Sequence, residues 1–253
     1  MIHPRVFLSQ SPLDQKTPFV WHADNRESHH LRNVLRLREG HPLLAFDGNG
    51  RTWNGKIMSL SQRTGVTLLL TSISHVEPIH PRRVLVLAMP KQKAWENSLR
   101  MASEIGISHI VPIISDHCEV RLQNQQLDNK LEKWQLLLIE AAKQCGLNHL
   151  PTIESPVLLE TWLNNQVLPI HGFLCSLEAN TPYLLDSLCQ FPKTPISTIH
   201  AVIGPEGDFT KNEYTILQQA GLTPIRLANQ VLRCDTAVAY SLAAIDQFFL
   251  SHT

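Results

Sequence analysis

AVIGPEGDFTKNE, residues 201–213, passes from a short apolar run through Gly204-Pro205-Glu206-Gly207 into a polar stretch that starts like a helix. The apolar run reads as the end of a buried strand. Glycines at 204 and 207 permit positive φ or a close backbone approach, and Pro205 sets one part of the turn between them. Thr210 and Glu213 stand at capping-box spacing, with Phe209 and Tyr214 available as a hydrophobic staple. The stretch is therefore either a tight strand-to-helix turn or a backbone pocket at a helix N-terminus. It has neither GxGxxG nor GxxxxGK(S/T), which argues against direct nicotinamide or nucleoside triphosphate binding.

Outward from this point, apolar strands alternate with helical segments. Strands are expected at 84–88, in HIVPII (109–114), in IHGFLCSL (170–177) and in TIHAVIG (198–204). Helices are expected at 92–105, in KLEKWQLLLIEAAKQCG (130–146, bounded by Gly146) and in DTAVAYSLAAIDQFFL (235–250). This is the pattern of an α/β domain of about 170 residues. The N-terminal part differs. PRVFL and GVTLLLTSI (65–73) read as strands, and Asp47-Gly48-Asn49-Gly50 as a tight turn between two more. In HHLRNVLRL (29–37), Leu31, Val34, Leu35 and Leu37 form one apolar helical side, leaving Arg32, Arg36 and Arg38 solvated. Residues 1–72 are thus expected to form a small barrel or curled sheet, 73–80 a linker, and 81–253 the α/β domain.

With 253 residues and 43% hydrophobic composition the chain can bury a substantial core. Its five cysteines are odd in number, widely spaced and form no Cys-x-x-Cys pair, which supports neither a disulfide framework nor a zinc site. No run approaches the roughly 20 apolar residues of a membrane span, so a soluble cytoplasmic protein without a metal is expected. The formal net charge of zero hides an asymmetry: residues 1–72 carry nine Lys+Arg and five Asp+Glu, the remainder 13 and 17. The basic excess in RESHHLRNVLRLREG fits either a nucleic-acid contact or an ordinary basic surface.

Arg233-Cys234-Asp235-Thr236 precedes the last helix, where Asp235 or Thr236 could satisfy its first amides. Arg233 could instead orient a phosphate or carboxylate through a forked, charge-assisted contact. Glu206 reads either as a ligand-orienting acceptor or as an exposed turn residue.

Taken in order, HHLRNVLRLREG, FDGNG, EAAKQCG, IGPEGDFTKNE and LANQVLRCDTAVAYSLAAI (227–245) resemble the bacterial 16S ribosomal RNA uridine N3-methyltransferase family, the RsmE group of the SPOUT methyltransferases. The resemblance covers most of the chain. It implies a PUA-like β-barrel domain for RNA binding, followed by an α/β SPOUT domain with a C-terminal trefoil knot. It also implies an S-adenosyl-L-methionine pocket, a homodimer, and action on 16S ribosomal RNA of the small ribosomal subunit. On the matching positions it implies cofactor contacts from Leu177 and Glu178, from Ile203, Gly204, Pro205, Glu206 and Gly207, and from Leu227, Ala228, Gln230, Val231 and Leu232. Arg233 and Thr236 would face the reaction, and Arg5, Arg32, Arg36, Lys91 and Lys93 would meet RNA.

Several positions depart from the family pattern. GPEGG reads GPEGD at Asp208, Leu-Gly reads Leu227-Ala228, and Cys234-Asp235 replaces Thr-Glu. The usual arginine after the central helix is Leu147, leaving Lys143 as one replacement for its charge. The implied chemistry is methyl transfer to uridine N3, with Arg233 orienting and stabilising charge and Thr236 a supporting hydrogen bonder. Transfer to a ribose 2′-hydroxyl and a noncatalytic role in ribosome assembly are the alternatives.

Overall fold

The computed structural model describes residues 3–10, 16–61, 63, 65–119, 127–178, 180–191 and 196–251. It divides into two compact units. One holds residues 1–78 together with 139–150, and the other residues 79–138 with 151–253. The boundary falls within the expected linker, but β5 (Gly65–His75) runs three residues into it, and residues 139–150 group with the first unit.

The first unit is a five-stranded sheet in the order β1-β3-β4-β5-β2, from β1 (Arg5–Phe7), β2 (Phe19–His22), β3 (Pro42–Phe46), β4 (Arg51–Ser61) and β5. β1 lies parallel to β3, and the other pairs are antiparallel. Register shifts at Asn54/Gly55 and Ile57/Ser59 mark bulges in β4, which increase the twist of a sheet and bend it around a core. That core includes Val6, Leu31, Trp53, Ile57, Leu68 and Leu70. The turn at 47–50 forms as expected: Asp47 Oδ1 accepts from the amides of Asn49 and Arg51, and Gly48 and Gly50 take φ of 76° and 87°.

The helix expected over 29–37 is shorter and less regular. α1 (Asn25–His29) starts at Asp24, whose side chain accepts from Glu27 N, and a π-helical turn follows over His30–Val34. Arg36, at φ 50°, ends the helical path. Leu31 alone of the four apolar positions is fully buried, while Val34 and Leu35 are exposed, because the wider π-turn rotates them off the expected face.

Two basic residues of this unit are interior. Arg5 is only 6% exposed; its guanidinium donates to Ala142 O (3.2 Å) and Asn148 Oδ1 (2.6 Å) and stacks 4.3 Å over the Phe46 ring. That arrangement corrects the expectation of an RNA contact at Arg5, since a phosphate ligand needs a guanidinium facing solvent. Lys143 is likewise taken up: its Nζ donates to both carboxylate oxygens of buried Glu27 (2.9 and 3.1 Å) and to Glu140 (3.4 Å). Burial pushes the Glu27 carboxyl up, and Lys143 draws it back. Such a pair is weak as a net stabiliser but costly to break, because the surviving charge stays buried. Lys143→Ala is expected to lower stability by about 3–5 kcal/mol in denaturant unfolding, and the apolar pair Lys143→Met with Glu27→Leu by clearly less.

The second unit is a parallel sheet in the order β12-β10-β11-β6-β7-β8, with β9 (Val157–Leu158) pairing to β7. Its strands are β6 (Arg82–Ala88), β7 (His109–Ile114), β8 (Thr152–Ile153), β10 (Gly172–Cys175), β11 (Thr198–Ile203) and β12 (Thr223–Ile225). Alternation along the strands sends side chains into two cores. Leu85, Leu87, Phe173, Ile199 and Ala201 face one, with α2 (Gln92–Ile105), α5 (Leu184–Cys189) and α7 (Cys234–Leu250). Val84, Val86, Leu174 and Val202 face the other, with α4 (Leu159–Asn164) and α6 (Lys211–Gln219). α3 (Leu127–Cys145) adds Trp134 and Leu138 to the first core, where Trp134 meets Trp95 with ring centroids 5.0 Å apart. Buried on both faces, these strands read in sequence as unbroken apolar runs. No helix among the described residues is long and apolar enough to cross a membrane.

Candidate active site

β10, β11 and β12 lie side by side but not in chain order: β12 returns to the far side of β10. After β10 the chain runs to α5 on one face of the sheet, and after β11 to α6 on the other. Loops leaving adjacent parallel strands toward opposite faces open a crevice beyond the strands' carboxyl ends. A cavity of about 290 Å³ occupies this place.

Each of the three strand ends supplies a part of the wall. Cys175, Ser176 and Leu177 follow β10; residues 203–206 and Asp208 follow β11; residues 226–228 and 230–234 follow β12, with Ala237 from the first turn of α7. The expected positions 177, 203–206, 227, 228 and 230–233 therefore meet at one cavity. Glu178, Gly207 and Thr236 do not line it. Glu178 lies exposed beyond Ser176, whose Oγ accepts from its amide (3.1 Å), and Thr236 is exposed on the first turn of α7.

The loop after β11 is both a turn and a wall. Thr210 and Glu213 form the full capping box of α6, and Phe209 and Tyr214 meet edge to face at 5.8 Å. Glu213 also accepts from Asp116 N (2.9 Å). Neither Gly204 nor Gly207 takes a positive φ; the left-handed residue is Asp208, at φ 59°. The glycines serve close approach instead. A Cβ on Gly204 would stand 3.2 Å from Asp208 Oδ1 and the Phe209 ring, and one on Gly207 would stand 3.0 Å from His117 Cβ.

Contacts from outside hold the loops. His117 Nδ1 lies 2.9 Å from both Gly207 O and Asp208 O, and donation to these carbonyls raises the pKa of the imidazole. Cys234 Sγ–H donates to Gly204 O (3.6 Å), joining the second loop to the third. Arg226 gathers the third loop on itself, donating to Ala228 O (2.9 Å) and Asn229 O (3.1 Å). Glu206 Oε1 accepts from Lys91 N (3.1 Å), at the N-terminus of α2. By contrast, the backbone amides of residues 227–233 donate to no other group among the described residues. Residues 227, 228 and 232 are half-buried in the cavity wall, where amides without a protein partner suit a ligand that offers acceptors.

Arg233 is exposed at the mouth of the cavity, and as N-cap of α7 its side chain makes no capping bond. Asp235 instead accepts from Thr236 N (3.0 Å) and from Asn97 Nδ2 (3.1 Å). Lys91 and Lys93 are exposed at the start of α2, with Lys91 Nζ 3.3 Å from Glu119. Arg36 is exposed, and the half-buried Arg32 donates to Ser61 O (3.1 Å) and Asn33 Oδ1 (3.2 Å). No group of three or more His, Cys, Asp or Glu residues is placed to hold a metal among the described residues. Cys175, Ser176, Asp208, Arg226, Cys234 and Ala237 are wall positions that local sequence patterns did not mark as such.

Over residues 78–246 the sequence matches the RNA methyltransferase domain family. The chain belongs to that family. Residues 23–70 match the RNA methyltransferase PUA domain. The ribosomal RNA small subunit methyltransferase E of Synechocystis is 29% identical over 219 residues, 86% of this chain and 70% of that protein. In structure, the chain resembles a putative methyltransferase from Legionella pneumophila in complex with bound cofactor SAM, with a TM-score of 0.85 at 24% identity over 98% of both chains. A ribosomal RNA small subunit methyltransferase E from Neisseria gonorrhoeae bound to S-adenosyl methionine gives 0.84 at 22% identity over 97% of both. The architecture is an α/β SPOUT-like methyltransferase core with an N-terminal PUA-like domain.

Burial pushes the thiols in the wall up, Cys175 to about 12 and Cys234 to about 11. A raised pKa means the stability contributed by the buried thiol is present below the ordinary thiol value of 9.0 and lost as pH climbs through about 11. At pH 8 iodoacetamide is expected to label exposed Cys145 and Cys189 first and Cys234 at least about tenfold more slowly, because alkylation follows the thiolate fraction and access. Peptide mass spectrometry over a time course reads this order directly.

Proposed function

We propose that this methyltransferase transfers a methyl group from S-adenosyl-L-methionine to N3 of a uridine in 16S ribosomal RNA. The observation that carries the reading is the three-loop crevice, with its run of uncommitted amides at 227–233 and its apolar side chains at Leu177, Ile203, Leu227 and Leu232. Apolar walls suit an adenine ring and free amides suit its nitrogens and the donor's carboxylate. The similarity to small-subunit ribosomal RNA methyltransferases, and to structures holding S-adenosyl methionine, supports the same RNA class and cofactor.

The bound cofactor supplies a methyl group already activated on a sulfonium, so the protein's share is alignment and electrostatics. The transfer forms an N3–C bond, breaks an S–C bond and releases the N3 proton. Arg233, exposed at the mouth, is placed to orient the base and offset negative charge on it. Thr236 supports from the adjoining turn. Glu206 and Asp235 are already engaged, with Lys91 N and with Asn97 and Thr236 N. Exposed Arg36, Lys91 and Lys93, with Arg32 beside them in chemistry, supply cations for RNA phosphates.

The reading extends to a C-terminal trefoil knot, a homodimer and a cytoplasmic setting. Leu185, Tyr240 and Leu250 support the dimer as large apolar residues exposed on α5 and α7.

Small ribosomal subunits incubated with purified protein and isotopically labelled methyl donor are expected to yield labelled N3-methyluridine on nucleoside analysis. Label in a ribose-methylated nucleoside, or none, overturns the assignment. Arg233→Ala is expected to lower the transfer rate ~10²-fold while changing stability by less than about 0.5 kcal/mol, as judged by single-turnover kinetics beside thermal unfolding.

A further inference from the structure

We propose that Asp208 is a cofactor-positioning residue whose free carboxylate oxygen accepts from a donor group of the methyl donor outside its adenine, either the ribose hydroxyls or the α-ammonium. This rests on the reading of the crevice as the cofactor pocket.

Three observations meet at this residue. Asp208 sits at φ 59°, in the left-handed region where glycine is the unstrained choice and where a non-glycine residue marks a site held by its surroundings. Its carboxylate is fixed rather than mobile: Oδ1 accepts from Tyr214 Oη (2.8 Å) and from Phe209 N (2.8 Å). Tyr214 is itself anchored, with its ring in the core and its hydroxyl also 3.4 Å from Cys175 O. Asp208 lines the cavity, and Oδ2 makes no hydrogen bond among the described residues. A carboxylate with one oxygen tied back and the other unspent in a ligand crevice is an acceptor awaiting a donor.

The other charged groups of the wall do not compete for this role. Glu206 is exposed and has its Oε1 tied to Lys91 N, Arg226 is engaged on the carbonyls of its own loop, and Arg233 is a cation. A glycine at 208 would keep the bend and remove the acceptor. The aspartate therefore adds a fixed carboxylate acceptor to the pocket wall.

Calorimetric binding to wild type, Asp208→Asn and Asp208→Gly tests this with S-adenosylhomocysteine, 5′-methylthioadenosine and adenine. Asparagine keeps the acceptor facing Tyr214 and turns Oδ2 into a donor, and glycine adopts the same φ freely. Both variants are expected to bind S-adenosylhomocysteine at least about tenfold more weakly, the scale of a lost charged hydrogen bond, with adenine affinity unchanged. Methylthioadenosine weakened in parallel assigns the ribose hydroxyls; methylthioadenosine unaffected assigns the α-ammonium. Unchanged affinity for S-adenosylhomocysteine, or equal weakening of adenine, overturns the proposal. Failure of the wild type to bind any of the three instead removes the cofactor reading itself.

Discussion

Strand order is the constraint on which the site depends. In a parallel sheet each connection must cross one face, and here β10→β11 crosses on the side of α5 while β11→β12 crosses on the side of α6, passing beyond β10. The loops at the carboxyl ends of three neighbouring strands then diverge, and no rearrangement of side chains could close the gap between them. Leu184 and Leu188 anchor α5 in one core, and Tyr214 and Leu217 anchor α6 in the other. Apolar burial on the two faces thus keeps open a polar-edged crevice whose Ile203 and Ala237 are themselves part of the first core.

Loops without a hydrogen-bond ladder need other supports, and side chains supply these. His117 holds two carbonyls of the second loop, Cys234 ties that loop to the third, and Arg226 takes two carbonyls of its own loop. All three devices engage carbonyls, while the amides of 227–233 have no partner among the described residues. A site whose walls are set before the ligand arrives loses less ordering entropy on binding. Donor groups fixed in place also need no reorganisation during reaction.

Which parts could be read from sequence follows from how local their causes are. The capping box at Thr210 and Glu213 spans four residues, and the helix at 92–105 is bounded by its apolar period and by Gly106, which takes φ 89°. Both were legible. The helix over 29–37 was not, because nothing in its apolar spacing announces a π-turn or the positive φ of Arg36. Residues 203–206 and 227–233 are continuous segments and could be named as a pocket through the resemblance. Cys175, Arg226 and Ala237 join them only through strand order and pairing, which one chain's pattern does not reveal. His117 reaches across 90 residues, and Arg5 reaches Asn148 across 143. Counting charges could not separate the buried Arg5 and Lys143 from the exposed Arg36, because that distinction lies in what packs around them.

The start of α7 shows how such a scaffold shapes chemistry. Helix N-termini favour negative charge, since their first amides lack partners inside the helix. Asp235 satisfies one of them, at Thr236 N, and is itself restrained by Asn97. Arg233, in an extended conformation one residue before the helix, makes no capping bond and lies at the cavity mouth. Its positive charge and the helix N-terminus therefore add in the same place. Under the proposed reading, a base that gave up its proton here would carry an anion that this end of the crevice would favour over the neutral form. Such a field would lower the barrier to transfer without any side chain having to bond covalently to either partner.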